Sequence, residues 1–467
     1  MTIDLSTITF TDQGDVVPVS GQEDIVNTGM ANTLAGNDTI TGIGIPLQSY
    51  NPSSGNGIYN IGKLNTAEGN DIITGNGDVN GIVNTGTFNT AEGNDIISAK
   101  GYYYQGIANT GTFNTAEGND IITAEGKDRG INNTGTFNTG EGNDIITAQG
   151  YFSGSGNSGT FNTADGNDEI TGIASVSYGI IIADGSTFDT GNGNDRISGY
   201  GGRTTGISNE SIMFNTGDGN DTIEGSGTLN GIFNKGLINT GNGKDTIIAN
   251  GGIRSRGIFA SGISNFSTID TGDGEDIITV SGGIYNEGTI DTGDGDDIIT
   301  GSRGFSYYGA DDLSGIDNKG TIDTGNGNDS IIADGSLIIR TDGTINTGNG
   351  NDIITSSKAI DNGGTINTGN GADFIIANGG FKGLGSVFLG NGKDYLNGFG
   401  TGNFNGGKNE DTLELTSGSY TVGISGTTVS FTKSGVIMKT SEFEKLIAGS
   451  TTYNFTSLMD GQTIVVA

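Results

Sequence analysis

The residues in this chain whose type and spacing suit chemistry are aspartates, set at a constant place in a recurring phrase. The phrase runs NTAEGNDIIT, NTGEGNDIIT, NTGDGNDTIE, DTGDGDDIIT and NTGNGNDIIT. Its fixed acid falls at Asp38, Asp71, Asp95, Asp120, Asp144, Asp168, Asp195, Asp221, Asp245, Asp276, Asp297, Asp329, Asp352, Asp373 and Asp394. Two residues earlier stands a glycine: Gly69, Gly93, Gly118, Gly142, Gly166, Gly193, Gly219, Gly243, Gly274, Gly295, Gly327, Gly350, Gly371 and Gly392. Carboxylates supply charge, and glycine lets a turn close tightly and aim its carbonyls inward. Together these are hard oxygen donors of the kind that hold calcium.

What is missing narrows the chemistry further. The 467 residues include no histidine, cysteine or tryptophan. That excludes disulfides, thiolate zinc sites, cysteine nucleophiles and histidine-based triads. Oxygen ligands alone suit calcium, magnesium or manganese.

The spacing says which elements must position the acids. Anchors follow one another mostly at 21 to 27 residues, and 24 is the commonest gap. Two residues after each comes Ile, or Leu396 in the last. Seven residues before many of them sits Phe88, Phe113, Phe137, Phe161 or Phe188, and later Ile269, Ile290 or Ile322. A third apolar point recurs at Ile82, Ile107 and Ile232. Short apolar pieces of period two, punctuated by Gly and Asn, read as strands. Three such strands cannot bury a core alone, but stacked copies can. The expected fold is all-β: a parallel β-solenoid of about 24 residues per coil and about 15 coils, with a small C-terminal β cap. The longer gaps, carrying IPLQSYNPSS and SRGFSYYGAD, read as inserted loops.

Stacking sharpens the case for metal. Carboxylates one coil apart, about 4.8 Å, repel by roughly 3.5 kcal/mol at an effective dielectric near 20. Cations between coils would remove that repulsion. The plainer alternative for any one turn is a water-facing acidic corner with stacked Asn and Asp. Recurrence of the motif in phase favours metal. For the Asn six residues before the anchor, as at Asn65 and Asn215, a structural ladder is the better reading.

Composition fits a repeat and little else. Glycine numbers 89, hydrophobic residues make up 32%, and the formal net charge is −34. Such a chain would be disordered without an internal repeat. A surface this acidic argues against nucleic acid as a partner. The N-terminus lacks the pattern of a cleavable signal peptide. No apolar run approaches the length of a membrane span, so no membrane insertion is expected.

With these residues assembled, the chain resembles the RTX, or haemolysin-type calcium-binding, repeat, whose nonapeptide is Gly-Gly-x-Gly-x-Asp-x-aliphatic-x. Gly217, Gly219, Asp221 and Ile223 fall on its second, fourth, sixth and eighth positions. In GGKNEDTL, Gly406, Gly407 and Asp411 match, while Asn409 stands at the fourth position. The resemblance spans about residues 30–415. It implies calcium between successive loops, bound by the anchor carboxylates, Asp411 and nearby backbone carbonyls, so that Asp221 and Asp245 would share an ion. It departs from the family in having one motif per coil and Thr at the first position, which implies one calcium column instead of two. Lys244 and Lys393 beside their anchors are expected to weaken those sites.

The resemblance also implies a bacterial protein exported by type I secretion through an uncleaved C-terminal signal. The tail FEKLIAGSTTYNFTSLMDGQTIVVA is similar to such a signal, or closes the solenoid as a cap. The expected domains are an N-terminal cap at 1–29, the solenoid at 30–403 and a C-terminal β domain at 404–467. The expected function is that of a secreted, extracellular or cell-surface calcium-binding element, structural or adhesive and not an enzyme. It would fold on meeting extracellular calcium, at roughly 10⁻⁴–10⁻³ M. Its partners would be calcium, the secretion machinery and a cell surface or polysaccharide, with Tyr102–Gln105 and Ser306–Tyr308 as candidate contact loops. An ice-binding solenoid is a second reading, carried by Thr87, Thr112, Thr136 and Thr160 beside Asn89, Asn114, Asn138 and Asn162, and opposed by Glu92, Glu117 and Asp218. A polysaccharide-acting β-helix enzyme is a third, though no coil carries a distinctive polar cluster.

Overall fold

One coil shows how the period becomes structure. After Asp95 the chain runs through strands Ile96–Gly101, Ile107–Asn109 and Thr112–Asn114, then turns into the next anchor, Asp120. Each strand pairs in parallel and in register with its equivalents in the neighbouring coils. Ile97 lies between Ile73 and Ile122, Ile107 between Ile82 and Ile131, and Phe113 between Phe88 and Phe137. Those side chains point inward and are fully buried, while their strand neighbours point out. This alternation is the side-chain period of a strand. The Phe88, Phe113, Phe137 and Phe161 rings stack at centroid separations of 4.5 to 4.9 Å.

This computed structural model describes residues 2–18, 23–44, 55–251, 261–303 and 314–467. Ser306–Tyr308 lies outside them. The chain divides into two units, Met1–Asn242 and Gly243–Ala467. Each is a parallel β-solenoid with three strands per coil and about 24 residues per turn.

In the first unit, Thr2–Asp4 pairs in parallel with Asp24–Asn27, and Val16–Val17 with Thr39–Ile43. In the second unit the parallel register continues to Thr412–Leu415, which pairs with Lys445–Ala448. The C-terminal residues then change pattern. Gly418–Ser425, Thr428–Lys433 and Val436–Ser441 form an antiparallel meander, and Thr463–Val466 pairs antiparallel with the first of them. Val436–Ser441 joins the meander to the solenoid by pairing in parallel with Gly402–Asn405.

Two asparagine ladders hold the corners. The second strand of most coils ends in a buried Asn. Asn27, Asn60, Asn84, Asn109 and Asn133 each donate Nδ2 to Oδ1 of the next, ending at Asn157. Asn60, Asn84 and Asn109 also donate to the carbonyls of Thr87, Thr112 and Thr136. A buried amide must have its polar atoms paired, and identical stacked coils supply the partners. A second, half-exposed ladder runs through Asn65, Asn89, Asn114, Asn138 and Asn162. This is the structural ladder expected for the Asn six residues before the anchor.

Candidate metal centre

The motif turn is built from Thr, Gly or Ala, an exposed residue, Gly, an exposed Asn or Asp, and the anchor. Local geometry explains two of these types. Gly93 has φ +146°, and a Cβ there would lie 1.8 Å from the carbonyl oxygen of Gly69 in the preceding coil. No other residue fits so close an approach. The same contact shows that the Gly69 carbonyl faces along the stack toward the next glycine. Two residues earlier, Ala91 also lies in the left-handed region, at φ +65°.

The anchors themselves turn inward. In the first unit Asp38, Asp71, Asp95, Asp120, Asp144, Asp168, Asp195 and Asp221 are all buried. So are Asp245, Asp276, Asp297, Asp329, Asp352, Asp373, Asp394 and Asp411 in the second. Each unit thus brings its own anchors into one file.

The file is knitted by a hydrogen bond invisible in any single repeat. The backbone N–H of one anchor donates to Oδ1 of the anchor in the next coil. In the first unit this runs from the Asp15 N–H to Asp38 and on to Asp221, at 2.7 to 2.8 Å. In the second it runs from the Asp245 N–H through Asp411, at 2.7 to 3.0 Å. It ends at Glu444, whose Oε2 accepts the Asp411 N–H at 2.8 Å.

The second carboxylate oxygen is a different matter. Oδ2 is buried and has no hydrogen-bond partner in Asp71, Asp95, Asp120, Asp144, Asp168 and Asp195. The same holds in Asp276, Asp297, Asp352, Asp373, Asp394 and Asp411. The reason lies five residues back, where a buried Thr occupies most turns. The Thr66, Thr90, Thr115 and Thr163 hydroxyls point to the carbonyl of the threonine in the next coil, at 3.1 to 3.4 Å, while staying near enough to their own anchors to offset part of the rise that burial causes. A short bond to the turn's own anchor forms in some coils, as Thr216 reaches Asp221 at 2.6 Å and Thr324 reaches Asp329 at 2.7 Å. Asp394 and Asp411 have Leu389 and Gly406 in place of the threonine.

Burial disfavours the charged form. It pushes the carboxyls of Asp95, Asp120, Asp297, Asp329 and Asp394 up to about 7 and that of Asp168 to about 8. Asp71, Asp144, Asp195, Asp276, Asp373 and Asp411 rise to about 6. Desolvation is the leading cause throughout, opposed by the hydroxyl of the threonine five residues back in most turns and by the inter-coil N–H. Repulsion between neighbouring anchors, the argument made from the sequence, is the smaller contribution.

A cation is one way to satisfy such a file. The donors are all hard oxygens: Oδ2, the threonine hydroxyl and backbone carbonyls. They fit calcium or another oxygen-loving divalent ion. Among the described residues no three carboxylates converge on one point. A bound ion would therefore take most of its ligands from hydroxyl and carbonyl oxygens. Lys244 and Lys393 do not enter the turns. Both are directed to solvent, and Lys244 pairs with Glu275 at 3.0 Å on the surface.

The glycines and anchors stand out in the sequence, but the threonine five residues before the anchor was read there only as a departure from the nonapeptide. Its near-constant recurrence in the NT and DT pairs was the available signal. Glu444 carried none, because it follows the last anchor by 33 residues and belongs to no repeat.

No protein-family model matches the chain, and no curated protein matches it. Among solved structures, it is similar to a hyperactive, Ca2+-dependent, β-helical antifreeze protein from an Antarctic bacterium. The identity is 16%, the TM-score is 0.42, and the match covers 80% of this chain and 92% of that one. The likeness is one of architecture alone.

Proposed function

We propose that the chain is a calcium-binding solenoid that acts outside the cell as a structural or adhesive element. The observation that carries this reading is the file of buried carboxylates, each with one oxygen held by the N–H of the preceding coil and most with the other unpaired. In water at neutral pH such groups would either take up protons or hold a cation. A divalent ion in each turn would satisfy Oδ2 and the threonine oxygen together. Bound calcium supplies charge compensation and ligand bonds, and its binding energy becomes folding energy.

Export through a C-terminal signal, folding on arrival in calcium and a role at the cell surface belong to the same proposal. They are supported by the RTX-like motif and the change of pattern after Thr412–Leu415. A catalytic role is not part of the proposal.

Far-UV circular dichroism during a calcium titration tests it. The expected result is a gain of β-signal, or a large rise in Tm, reversed by chelator. A spectrum and Tm in chelator identical to those in millimolar calcium would overturn the reading.

The ice-binding alternative keeps one observation in its favour. Thr112, Thr136 and Thr160 are exposed and in parallel register, with Asn114, Asn138 and Asn162 beside them. Exposed Glu92, Glu117 and Asp218 lie at the adjoining turn and break the match to a neutral lattice. Thermal hysteresis in the calcium-loaded protein would support it, and none would end it.

A further inference from the structure

The corners between the first and second strands of each coil are mostly small or polar. Among the described residues two of them are not. Tyr102, Tyr103 and Tyr104 occupy one such corner, and Tyr151 and Phe152 occupy another. All five are at least half exposed. Elsewhere among the described residues no two aromatics this exposed are neighbours: Phe266 and Phe374 each meet one half-buried tyrosine, Tyr285 and Tyr395, and Phe388 is less than half exposed. Exposed aromatics gathered in one place mark a contact surface.

The backbone places the two corners in register. The Tyr103 N–H donates to the Asp78 carbonyl, the Asp128 N–H to the Tyr104 carbonyl, and the Phe152 N–H to the Asp128 carbonyl. The aromatic corners are therefore two coil steps apart, about 9.6 Å. Within each corner two rings stand nearly perpendicular. Tyr102 and Tyr103 meet at 88° with centroids 4.9 Å apart, and Tyr151 and Phe152 at 87° and 5.1 Å. One ring of each pair can then offer its face while the other braces it.

The corner between them is polar. Lys127 Nζ lies 5.7 Å from the Tyr103 ring, and Gln105 Nε2 donates to Asp128 Oδ2 at 3.2 Å. Two apolar platforms with hydrogen-bonding groups in between match a chain whose units have a C–H face and hydroxyl edges. An extended hexose polymer is such a chain, and two of its residues cover about the distance of two coils. Charge restricts the choice. A net charge of −34 repels polyanions, so a neutral polymer is favoured.

We propose that the corners at Tyr102–Tyr104 and Tyr151–Phe152 form a binding site for a neutral polysaccharide, with a sugar ring stacked on one aromatic face of each corner. This goes beyond the calcium reading and uses none of its residues.

The test is depletion of the full-length, calcium-loaded chain by insoluble cellulose, chitin and β-1,3-glucan, with alginate as the anionic counterpart. The wild type should bind at least one neutral polymer. The double variant Tyr103→Ala/Phe152→Ala should bind at least tenfold more weakly, with its circular dichroism and calcium-dependent Tm unchanged. Ile121→Ser, an exposed apolar residue away from the corners, should bind as wild type. Tyr103→Trp, which keeps a face, should retain binding. No binding of the wild type to any neutral polymer would overturn the proposal. So would binding that survives the double variant, binding to alginate alone, or concentration-dependent self-association that the double variant abolishes in place of sugar binding. A chain that binds polysaccharide but ignores calcium would remove the calcium reading and leave this one standing.

Discussion

The backbone N–H of Asp120 donates to Oδ1 of Asp144, the equivalent residue one coil further on, at 2.8 Å. This bond explains how buried carboxylates can stack at all. Each anchor's first oxygen is paired by a peptide group of the coil before it, and each anchor's own peptide group pairs the coil after it. What remains unpaired is Oδ2, and that remainder is where a cation or a proton is needed.

Stability should depend on pH in a direction set by those carboxyls. Their values in the folded chain are raised to about 6 to 8 from the ordinary range near 4. The folded state therefore holds protons that the unfolded chain has already released. Stability is greatest below the unfolded value and is lost as pH rises through the folded one. In chelator, Tm should fall between about pH 5 and pH 8. Saturating calcium should flatten that fall, and binding near pH 7 should release protons. Calorimetry in two buffers of different ionisation enthalpy measures the release. A Tm that climbs with pH in chelator would contradict the burial argument.

Asp144→Asn and Asp144→Ala should separate the two oxygens' roles. The Asn variant keeps an acceptor for the Asp120 N–H and removes the buried charge. In chelator at pH 8 it should be at least as stable as wild type. The Ala variant leaves that N–H unpaired and should lose about 1–3 kcal/mol. Both should show a smaller stabilisation by calcium. Urea denaturation with and without calcium reads all of these.

Gly93→Ala should be costly and Ala91→Gly harmless, although the two lie in one turn. At Gly93 a Cβ would meet the Gly69 oxygen at 1.8 Å with φ +146°, so a loss of about 2 kcal/mol or more is expected. At Ala91 the backbone already sits at φ +65°, and glycine should change stability by no more than roughly 1 kcal/mol, in the favourable direction. Equal losses for both would show that the turn relaxes.

Asn109→Ala should cost about 2 kcal/mol or more. It removes the donor to Asn133 Oδ1 and Thr136 O, both at 2.8 Å, and takes one of its two acceptors from the Asn84 amide, which keeps the Thr112 carbonyl. Asn114→Ala, in the half-exposed ladder, should cost less than about 1 kcal/mol because water replaces the lost bonds. Thermal unfolding of the two variants side by side decides it.

Much of the architecture was legible because it is local. Ile97 and Phe113 declare their inward direction through the two-residue period of a strand, and Gly93 declares a turn through its place before the anchor. The anchors were legible as a set because they share one place in the phrase. The buried Asn109 ladder was not, since the signal two residues earlier is the apolar Ile107 and the amide's partners lie in other coils. Nor was the chief cause of the raised carboxyls: Asp168 is raised mainly by loss of water, which depends on how completely the neighbouring coils cover it, and less by the charge of Asp144 or Asp195.

By itself the sequence determined the period, the inward residues and the turn that carries each aspartate, because strand alternation and glycine's freedom act within a few residues of chain. Only the tertiary structure decided what each aspartate touches. The N–H that holds Asp144, the carbonyl that takes the Thr115 proton and the Glu444 oxygen that ends the second unit's file all lie a coil or more away in sequence. A buried carboxylate's partners are set by which groups stacking brings within hydrogen-bond reach.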